Sequence, residues 1–281
     1  MQDNTLTGLL KLILHNSAIL GGGLLIALVA LTALITPFVA PYDPLRVEAS
    51  RRLESPSGEH WFGTDDFGRD VFSRVLYGAR LSVWVGGMTV LIASAGGILL
   101  GLLAGYFSRL DNPVMRVMDG FMAFPSVILA IAIMAALGPQ VFNVIVALAV
   151  VQMPRVARVV RGVVLQLREF DFVEAARALG MNDRRIILRH ILPNCLSPLI
   201  VQTTFVFAYA VLTEASLSFL GVGAPPEVPS WGNILSEGRV YLRRAPWIAL
   251  FPGLAIMATV LGSNLMGDGL RDELDPRLRG T

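Results

Sequence analysis

Residues 168–194 read REFDFVEAARALGMNDRRIILRHILPN, a charged stretch that stands between two apolar segments. One apolar segment ends at Pro154, and the next begins at His190. Apolar segments of this length are typical of membrane-spanning helices. The pattern therefore predicts a membrane protein in which one long, charged connection joins two spans.

The composition of the whole chain also indicates a location in the bilayer. Hydrophobic residues make up 54% of the 281 residues, and the mean hydropathy is +0.63. A helix needs roughly 20 apolar residues to cross about 30 Å of hydrocarbon. Stretches free of Asp, Glu, Lys and Arg cover residues 12–42, 81–108, 120–154, 190–213 and 245–267.

The third of these stretches is too long for one helix, and Gly138-Pro139-Gln140 in its middle is a turn signal. We therefore expect an all-α, polytopic membrane protein with about six transmembrane helices. The predicted spans are 19–40, 82–107, 121–137, 141–154, 198–221 and 247–266, and the fourth is expected to continue into the loop that follows it.

The distribution of arginine predicts the orientation, because basic loops tend to stay in the cytoplasm. The connection between the fourth and fifth spans contains Arg155, Arg158, Arg161, Arg168, Arg177, Arg184, Arg185 and Arg189. Both termini are then cytoplasmic. The expected layout is an N-terminal segment 1–18, a transmembrane domain 19–267 with extracytoplasmic loops 41–80 and 222–244 and a cytoplasmic loop 155–193, and a tail 268–281.

A short helix is expected inside the charged connection. Asp171 can act as its N-cap with Glu174 at the third helical position, and Gly180 can end it, so the predicted helix covers 172–179. Before it, the fourth span is expected to continue as an amphipathic helix. The apolar face of this extension, opposite the arginines, consists of Val156, Val159, Val160, Val163 and Leu167.

A helix of about eight residues is marginal in water unless something packs on it. Ala175 and Ala176 permit close approach, and Phe172, Val173 and Leu179 offer apolar anchors, so a groove on another protein is one expected partner. The alternative is a solvated basic loop that only follows the charge rule.

The short helix carries a resemblance to a known family. Glu174-Ala175-Ala176, followed by Gly180 and Leu192-Pro193, resembles the EAA loop by which permease subunits of ATP-binding-cassette (ABC) importers engage their ATPases. The family pattern has isoleucine two residues before Leu-Pro, where this chain has His190 with Ile191 beside it.

Three further segments extend the resemblance to nearly the whole chain. They are similar to the C-type permease of the dipeptide, oligopeptide and nickel importer family. They read FGTDDFGRDVFSRVLYGARLSV from Phe62, EASLSFLGVGAPPEVPSWGNIL from Glu214, and APWIALFPGLAIMATVLGSNLMGDGLRDELDPRL from Ala245.

The resemblance implies a set of partners in the bacterial inner membrane. These are a homologous B-type permease, two cytoplasmic ABC ATPase subunits and an extracytoplasmic substrate-binding protein, with the lipid bilayer around them and no nucleic acid. ATP and Mg²⁺ would bind to the ATPases, and no cofactor or enzymatic activity is expected here. The only lysine, Lys11, lies between leucines and so cannot belong to a phosphate-binding Walker A loop.

The resemblance also implies a mechanism in which closure of the ATPases moves the short cytoplasmic helix. The implied ATPase-coupling residues are Asp171, Glu174, Ala175, Ala176, Arg177 and Gly180. Short peptides are the expected cargo. Nickel, a metal-chelator complex and glutathione are the alternatives within the family.

Other polar and small residues admit two interpretations each. Ala93, Gly97, Gly101 and Gly105 recur every four residues and predict close helix packing, either static or sliding. Glu214 is the one carboxylate inside a predicted span, where a structural hydrogen-bonding role and a substrate or proton role are both open.

The acidic residues of the first outer loop do not predict a metal site. Asp65, Asp66 and Asp70 lack the spacing of an EF-hand and have Arg69 among them. We interpret them as a turn that leads into an amphipathic surface segment at 71–80.

Two other classes of membrane protein fit the sequence less well. An ion-coupled secondary transporter needs ionisable residues in mid-membrane, and the predicted spans offer only Glu214. An intramembrane enzyme needs a His-Glu metal set or a Ser/Lys dyad within the spans, and the sequence has neither.

Overall fold

The computed structural model describes residues 16–274, which form helices and loops with one isolated β-bridge between Thr64 and Asp70. Most of the predicted segment 1–18 and half of the predicted tail 268–281 lie outside these residues. The helices are α1 (Ser17–Val39), α2 (Val71–Tyr106), α3 (Ser108–Met122), α4 (Ser126–Leu137), α5 (Val141–Leu167), α6 (Asp171–Ala178), α7 (Asp183–Ile186), α8 (Leu192–Phe219), α9 (Trp231–Gly238) and α10 (Trp247–Leu274).

The number of long apolar helices confirms the predicted fold class. Helices α1, α2, α5 and α10 are each long and apolar enough to cross a membrane. So is the segment Asp183–Phe219, in which a π-helical stretch, Ile187–Ile191, joins α7 to α8. These make five spans, and the bent pair α3 and α4 makes a sixth if it is counted as one.

The predicted third span, 121–137, is wrong as a single helix. The chain bends by 92° between α3 and α4, and α4 has only 12 residues, or about 18 Å at 1.5 Å per residue. The break falls just before Pro125, which lacks an N–H and disfavours helical geometry in the residue ahead of it. Hydropathy alone does not detect this break.

The predicted start of the second span and the end of the first loop are also wrong. Helix α2 begins at Val71, so residues 71–80 are its first turns and do not form a separate surface segment. Asp70 caps this helix by accepting a 2.7 Å hydrogen bond from the Ser73 backbone N–H. Arg74 looks like a loop residue in the sequence but is fully buried.

Helices α2 and α5 pack closely along a row of glycines. A Cβ atom on Gly97 would lie 2.5 Å from Val156 Cβ, and one on Gly101 would lie 2.6 Å from the Ala157 carbonyl oxygen. A Cβ on Gly105 would lie 2.6 Å from Val164 Cβ. The glycines thus let the two backbones approach within a distance that no larger residue permits. We call this contact the glycine seam.

The helix bundle has two ends, one at each end of the glycine seam. At one end, α2 finishes at Tyr106 beside α6 and the arginines of residues 155–193, and we call this the arginine-rich end. At the other end lie residues 41–70 and 222–246, and we call this the loop end. On the predicted apolar face of α5, Val156 and Val160 are buried against the rest of the chain, whereas Val159 and Val163 are partly exposed.

A buried network of ion pairs holds the two loops together at the loop end. Arg74 Nη1 donates to Asp65 Oδ2 and to Glu237 Oε2, each over 2.5 Å. Arg69 donates to the same two carboxylates, each over 2.7 Å. Because Glu237 belongs to α9 and Asp65 to the first loop, the two arginines join both loops to the start of α2.

Replacing Gly101 by leucine should destabilise the seam, because the new side chain would meet the backbone of α5. Overpacking of this kind costs about 1–3 kcal/mol. Gly87 lies on the same helix with nothing within 4 Å of an added Cβ, so Gly87→Leu is the matched control. Thermal unfolding of the detergent-purified chain should show a lower Tm for Gly101→Leu alone. Equal Tm values for both variants would contradict the seam.

Replacing Arg74 by methionine should lower the free energy of unfolding by about 3–5 kcal/mol, because the negative charge of the carboxylates that Arg74 contacts is then no longer fully compensated. Arg46→Met is the control, since Arg46 pairs with Glu48 on the same loop but its side chain is 63% exposed. An exposed pair is worth about 0–1 kcal/mol. Thermal unfolding in detergent checks both, and a Tm for Arg74→Met as high as that of Arg46→Met would show that the network does not stabilise the fold.

Candidate functional site

Helix α6 lies at the arginine-rich end and begins one residue earlier than predicted. Its N-cap is Phe170, whose carbonyl accepts from the Val173 N–H over 2.9 Å, so the predicted N-cap role of Asp171 is wrong. Asp171 and Glu174 instead lie in the first turn. Their carboxylates are close to the positive end of the helix dipole, which stabilises a short helix.

The end of α6 is a Schellman motif built on Gly180. Gly180 has a φ of +75°, in the left-handed region that glycine adopts without strain. Its N–H donates to the Arg177 carbonyl over 2.9 Å, and the Met181 N–H donates to the Ala176 carbonyl over 3.0 Å. The structure thus ends the helix at the glycine that the sequence indicated.

Two faces of α6 have different surroundings. Val173 and Ala176 are buried in the core cluster that also contains Val164, Ile186 and Ile191. This chain therefore covers half of the helix itself, where the sequence suggested that another protein would do so.

The opposite face of α6 is uncovered. Phe172 and Leu179 are 41% and 84% exposed, and Ala175 between them is also exposed. Positions 172, 175 and 179 fall on one stripe of a helix. The result is a short, largely exposed apolar ridge, on which Phe172 has ring contacts with Phe170 and His190.

Polar contacts join α6 to the end of α2. The guanidinium of Arg177 lies over the Tyr106 ring, 5.3 Å from its centroid, and the Tyr106 hydroxyl donates to Asp183 Oδ1 over 2.6 Å. The side chain of Arg177 is thus held against this chain as well as being near the exposed ridge. At the departure from the family pattern, Ile191 is buried and His190 is partly exposed.

Glu214 is fully buried near the loop end of α8. Its Oε1 accepts a 2.8 Å hydrogen bond from the Ser218 hydroxyl, and Ser218 Oγ accepts a 3.0 Å bond from the Ala224 N–H. The carboxylate therefore belongs to a chain of hydrogen bonds that connects α8 to the second loop. This geometry suits a structural role, which stays a prediction.

The carboxylates of Asp65, Asp66 and Glu237 come close enough together to hold a cation. Two of them already pair with Arg69 and Arg74, which supply the positive charge. Burial raises the pKa of Asp66, and the charges of Asp65 and Glu237 raise it further. Because the two arginines already neutralise Asp65 and Glu237, this cluster does not lead us to propose a metal site.

A cavity between α5, α8 and α10 was missed by the sequence analysis. It has two lobes of about 440 and 220 Å³ that share Gln202 and Phe205 in their walls. Arg155, which we assigned to the charged loop, lies within α5 and lines this cavity. The signal in the sequence is Gln152 and Arg155, three residues apart on one helix face.

The chain matches known proteins over most of its length. Residues 97–280 match the family described as "binding-protein-dependent transport system inner membrane component". A putative peptide transport system permease protein of Brucella suis biovar 1 is 52% identical over 92% of this chain and 87% of its own length. The dipeptide transport system permease protein of Alkalihalophilus pseudofirmus is 48% identical over 96% and 89%.

A further relative and two solved structures complete the comparison. The glutathione transport system permease protein of Pectobacterium atrosepticum is 44% identical over 95% of this chain and 89% of its own. The inward-facing MetNI methionine ABC transporter gives a TM-score of 0.56 at 21% identity, over 72% of this chain and 95% of that chain. An amino acid ABC transporter gives a TM-score of 0.54 at 17% identity, over 71% and 94%.

The two structural likenesses concern the fold alone, and they agree with a bundle of membrane-spanning helices that carries a short helix between two spans. The sequence likenesses cover nearly the whole chain at about half identity. The chain therefore belongs to the family of inner membrane components of binding-protein-dependent transport systems.

Proposed function

We propose that this chain is the C-type permease subunit of an ATP-driven importer and forms half of a pathway for short peptides across the bacterial inner membrane. The observation that carries the proposal is the exposed apolar ridge of α6, on a chain that belongs to a transport-permease family over most of its length. The ridge provides a docking point for a motor subunit, and the helix bundle provides the wall of the pathway.

The orientation follows from the basic residues. Arg184, Arg185 and Arg189 are exposed at the arginine-rich end, beyond α6. Loops rich in arginine stay in the cytoplasm, so α6 faces the cytoplasm and the loop end faces outward. With six crossings, both termini are cytoplasmic.

The ridge of α6 fits the surface groove of an ABC ATPase. An amphipathic helix that docks in a groove presents apolar anchors at a helical spacing, as Phe172, Ala175 and Leu179 do here. ATP and Mg²⁺ then bind on the ATPases, and Glu174 lies exposed beside the ridge as a polar contact. Two ATPases require a second permease, the homologous B-type subunit, and the loop end faces the substrate-binding protein.

Movement of α6 can reach the membrane because its inner face belongs to the core of this chain. Val173 and Ala176 pack into that core, and Arg177 stacks on Tyr106 at the end of α2. The glycine seam couples α2 to α5 in turn. A displacement of α6 by the ATPase is therefore transmitted to two spans as a rigid movement, as in other switches based on packed helices.

The names of the relatives support a peptide as cargo. The relatives at 52% and 48% identity are named as peptide and dipeptide permeases, and the glutathione permease follows at 44%. Glutathione is itself a small peptide, so a dipeptide cargo and a glutathione cargo share amide and carboxylate groups. Nickel and metal-chelator complexes are the alternative cargoes that are not peptides.

Replacing Gly180 by valine should uncouple the complex. A residue with a Cβ costs about 1–2 kcal/mol in the left-handed region, and the strain would shift the end of α6. We expect roughly 5–30-fold weaker ATPase docking and a matching loss of ATP-driven uptake. Gly180→Asn is the control, because asparagine tolerates this conformation and nothing lies within 4 Å of an added Cβ.

Co-purification of the ATPases and uptake into proteoliposomes measure the two effects for each variant. ATP hydrolysis that continues without uptake also supports coupling through α6. If the valine variant docks and transports like the asparagine variant, α6 is not the coupling element.

The cargo can be tested with the reconstituted complex and its binding protein. We expect ATP-dependent uptake of a labelled dipeptide or tripeptide, and an excess of the unlabelled peptide should compete with it. Equimolar Ni²⁺ should leave the uptake unchanged. Uptake of ⁶³Ni²⁺ without peptide uptake would show that the cargo is the metal.

A further inference from the structure

The cavity between α5, α8 and α10 runs along the direction of the spans. Its larger lobe, about 440 Å³, reaches Arg271 toward the arginine-rich end of α10. Its smaller lobe, about 220 Å³, reaches Leu212 on α8. Gln202 and Phe205 lie in the walls of both lobes, so the two lobes adjoin, and we call them together the groove.

The smaller lobe is lined by more polar groups than a lipid-facing surface would carry. Gln152, Gln202 and Asn264 come from α5, α8 and α10 and bring three amide side chains to one place. Gln152 is only 1% exposed. Polar side chains within spans are costly unless they face a wet cavity or a partner, so this groove is suited to a polar ligand.

Arg155 is the charged group that lines the smaller lobe, and its side-chain contacts within residues 16–274 are with neutral groups. Its Nη1 donates to Gln152 Oε1 and its Nη2 to Ser126 Oγ, each over 3.1 Å. The guanidinium lies over the Tyr209 ring, 4.9 Å from the centroid. Within residues 16–274, Arg155 has no carboxylate in ion-pair distance.

The next arginines on the same helix differ in this respect. Arg158 pairs with Asp119 over 2.6 Å, and Arg161 forms two bonds to Asp111, of 2.5 and 2.7 Å. Arg155 lies about 21 Å along α5 from Val141, at 1.5 Å per residue, and so deeper in the span than the two paired arginines. Of these three arginines of α5, the one without a carboxylate is thus the one that lines the smaller lobe.

We propose that Arg155 binds the terminal carboxylate of the transported peptide during its passage, with the amides of Gln152, Gln202 and Asn264 facing the peptide bonds. The proposal rests on the peptide-import function proposed above. Guanidinium matches a carboxylate with two parallel hydrogen bonds, and three of its five N–H donors are not used by Gln152 and Ser126.

The neutral partners of Arg155 suit a passing ligand. The amide, the hydroxyl and the ring hold the guanidinium in position without neutralising it. An incoming carboxylate therefore does not have to displace an internal one. Binding of this kind is strong enough to attract the ligand and weak enough to release it, as conduction through a membrane pathway requires.

The test is equilibrium binding of a labelled tripeptide, and of the same tripeptide with an amidated C-terminus, to the purified complex without its binding protein. The wild type should bind the free acid more tightly than the amide. Arg155→Gln should weaken binding of the acid by about tenfold, the loss typical of a charged hydrogen bond, and leave the amide unchanged. Arg155→Lys should restore part of the preference for the acid.

Arg158→Gln is the matched control, since Arg158 is on the same helix but pairs with Asp119, and it should change neither affinity. Equal binding of acid and amide by the wild type, or no binding of either, overturns the proposal. An Arg155→Gln variant that still prefers the free acid also overturns the proposal, even where size exclusion shows that this variant has lost the B-type permease. Peptide uptake by the wild type tests the import function separately, so the two failures are distinguishable.

Discussion

The close approach of α2 and α5 at the glycine seam is the contact on which the other features of this fold depend. In lipid there is no hydrophobic force between helices, so their association relies on van der Waals contact over a close-fitting surface. Gly97, Gly101 and Gly105 provide that surface against the valines of α5. The seam places Tyr106 beneath α6 at one end of α2 and Arg74 beneath the outer loops at the other.

The roles of the charged residues depend on where the glycine seam places them. At the loop end, Arg69 and Arg74 are compensated by Asp65 and Glu237, and the result is a fixed crosslink between two loops. Most carboxylates and arginines that are buried together serve such structural ends, because an isolated buried charge is too costly. Arg155 is partly buried and has only neutral side-chain partners within residues 16–274, and for that reason it is informative about function.

The sequence predicted the fold class, the number of spans and the glycine that ends α6, because these depend on local composition. It failed at the break before Pro125 because hydropathy does not register the effect of proline on the backbone. It failed at the start of α2 because hydropathy measures the cost of a charge in lipid and not its compensation by a distant partner. Arg74 was assigned to a loop since its partner Glu237 is 163 residues away. The groove was missed for the same reason: Gln202 and Asn264 meet Arg155 only in three dimensions.

The two sides of α5 explain how one helix can serve both the motor and the pathway. Val156 and Val160 hold it against α2, while Arg155 and Gln152 line the groove with α8 and α10. Near its end, Val164 and Leu167 pack in the same cluster as Val173 of α6. Since side chains in a packed interface cannot slide freely past one another, α5 has to follow α6 as a body. In the proposed importer, a movement imposed at the ridge of α6 would therefore carry Arg155 along with α5, and with it the place where a carboxylate would bind.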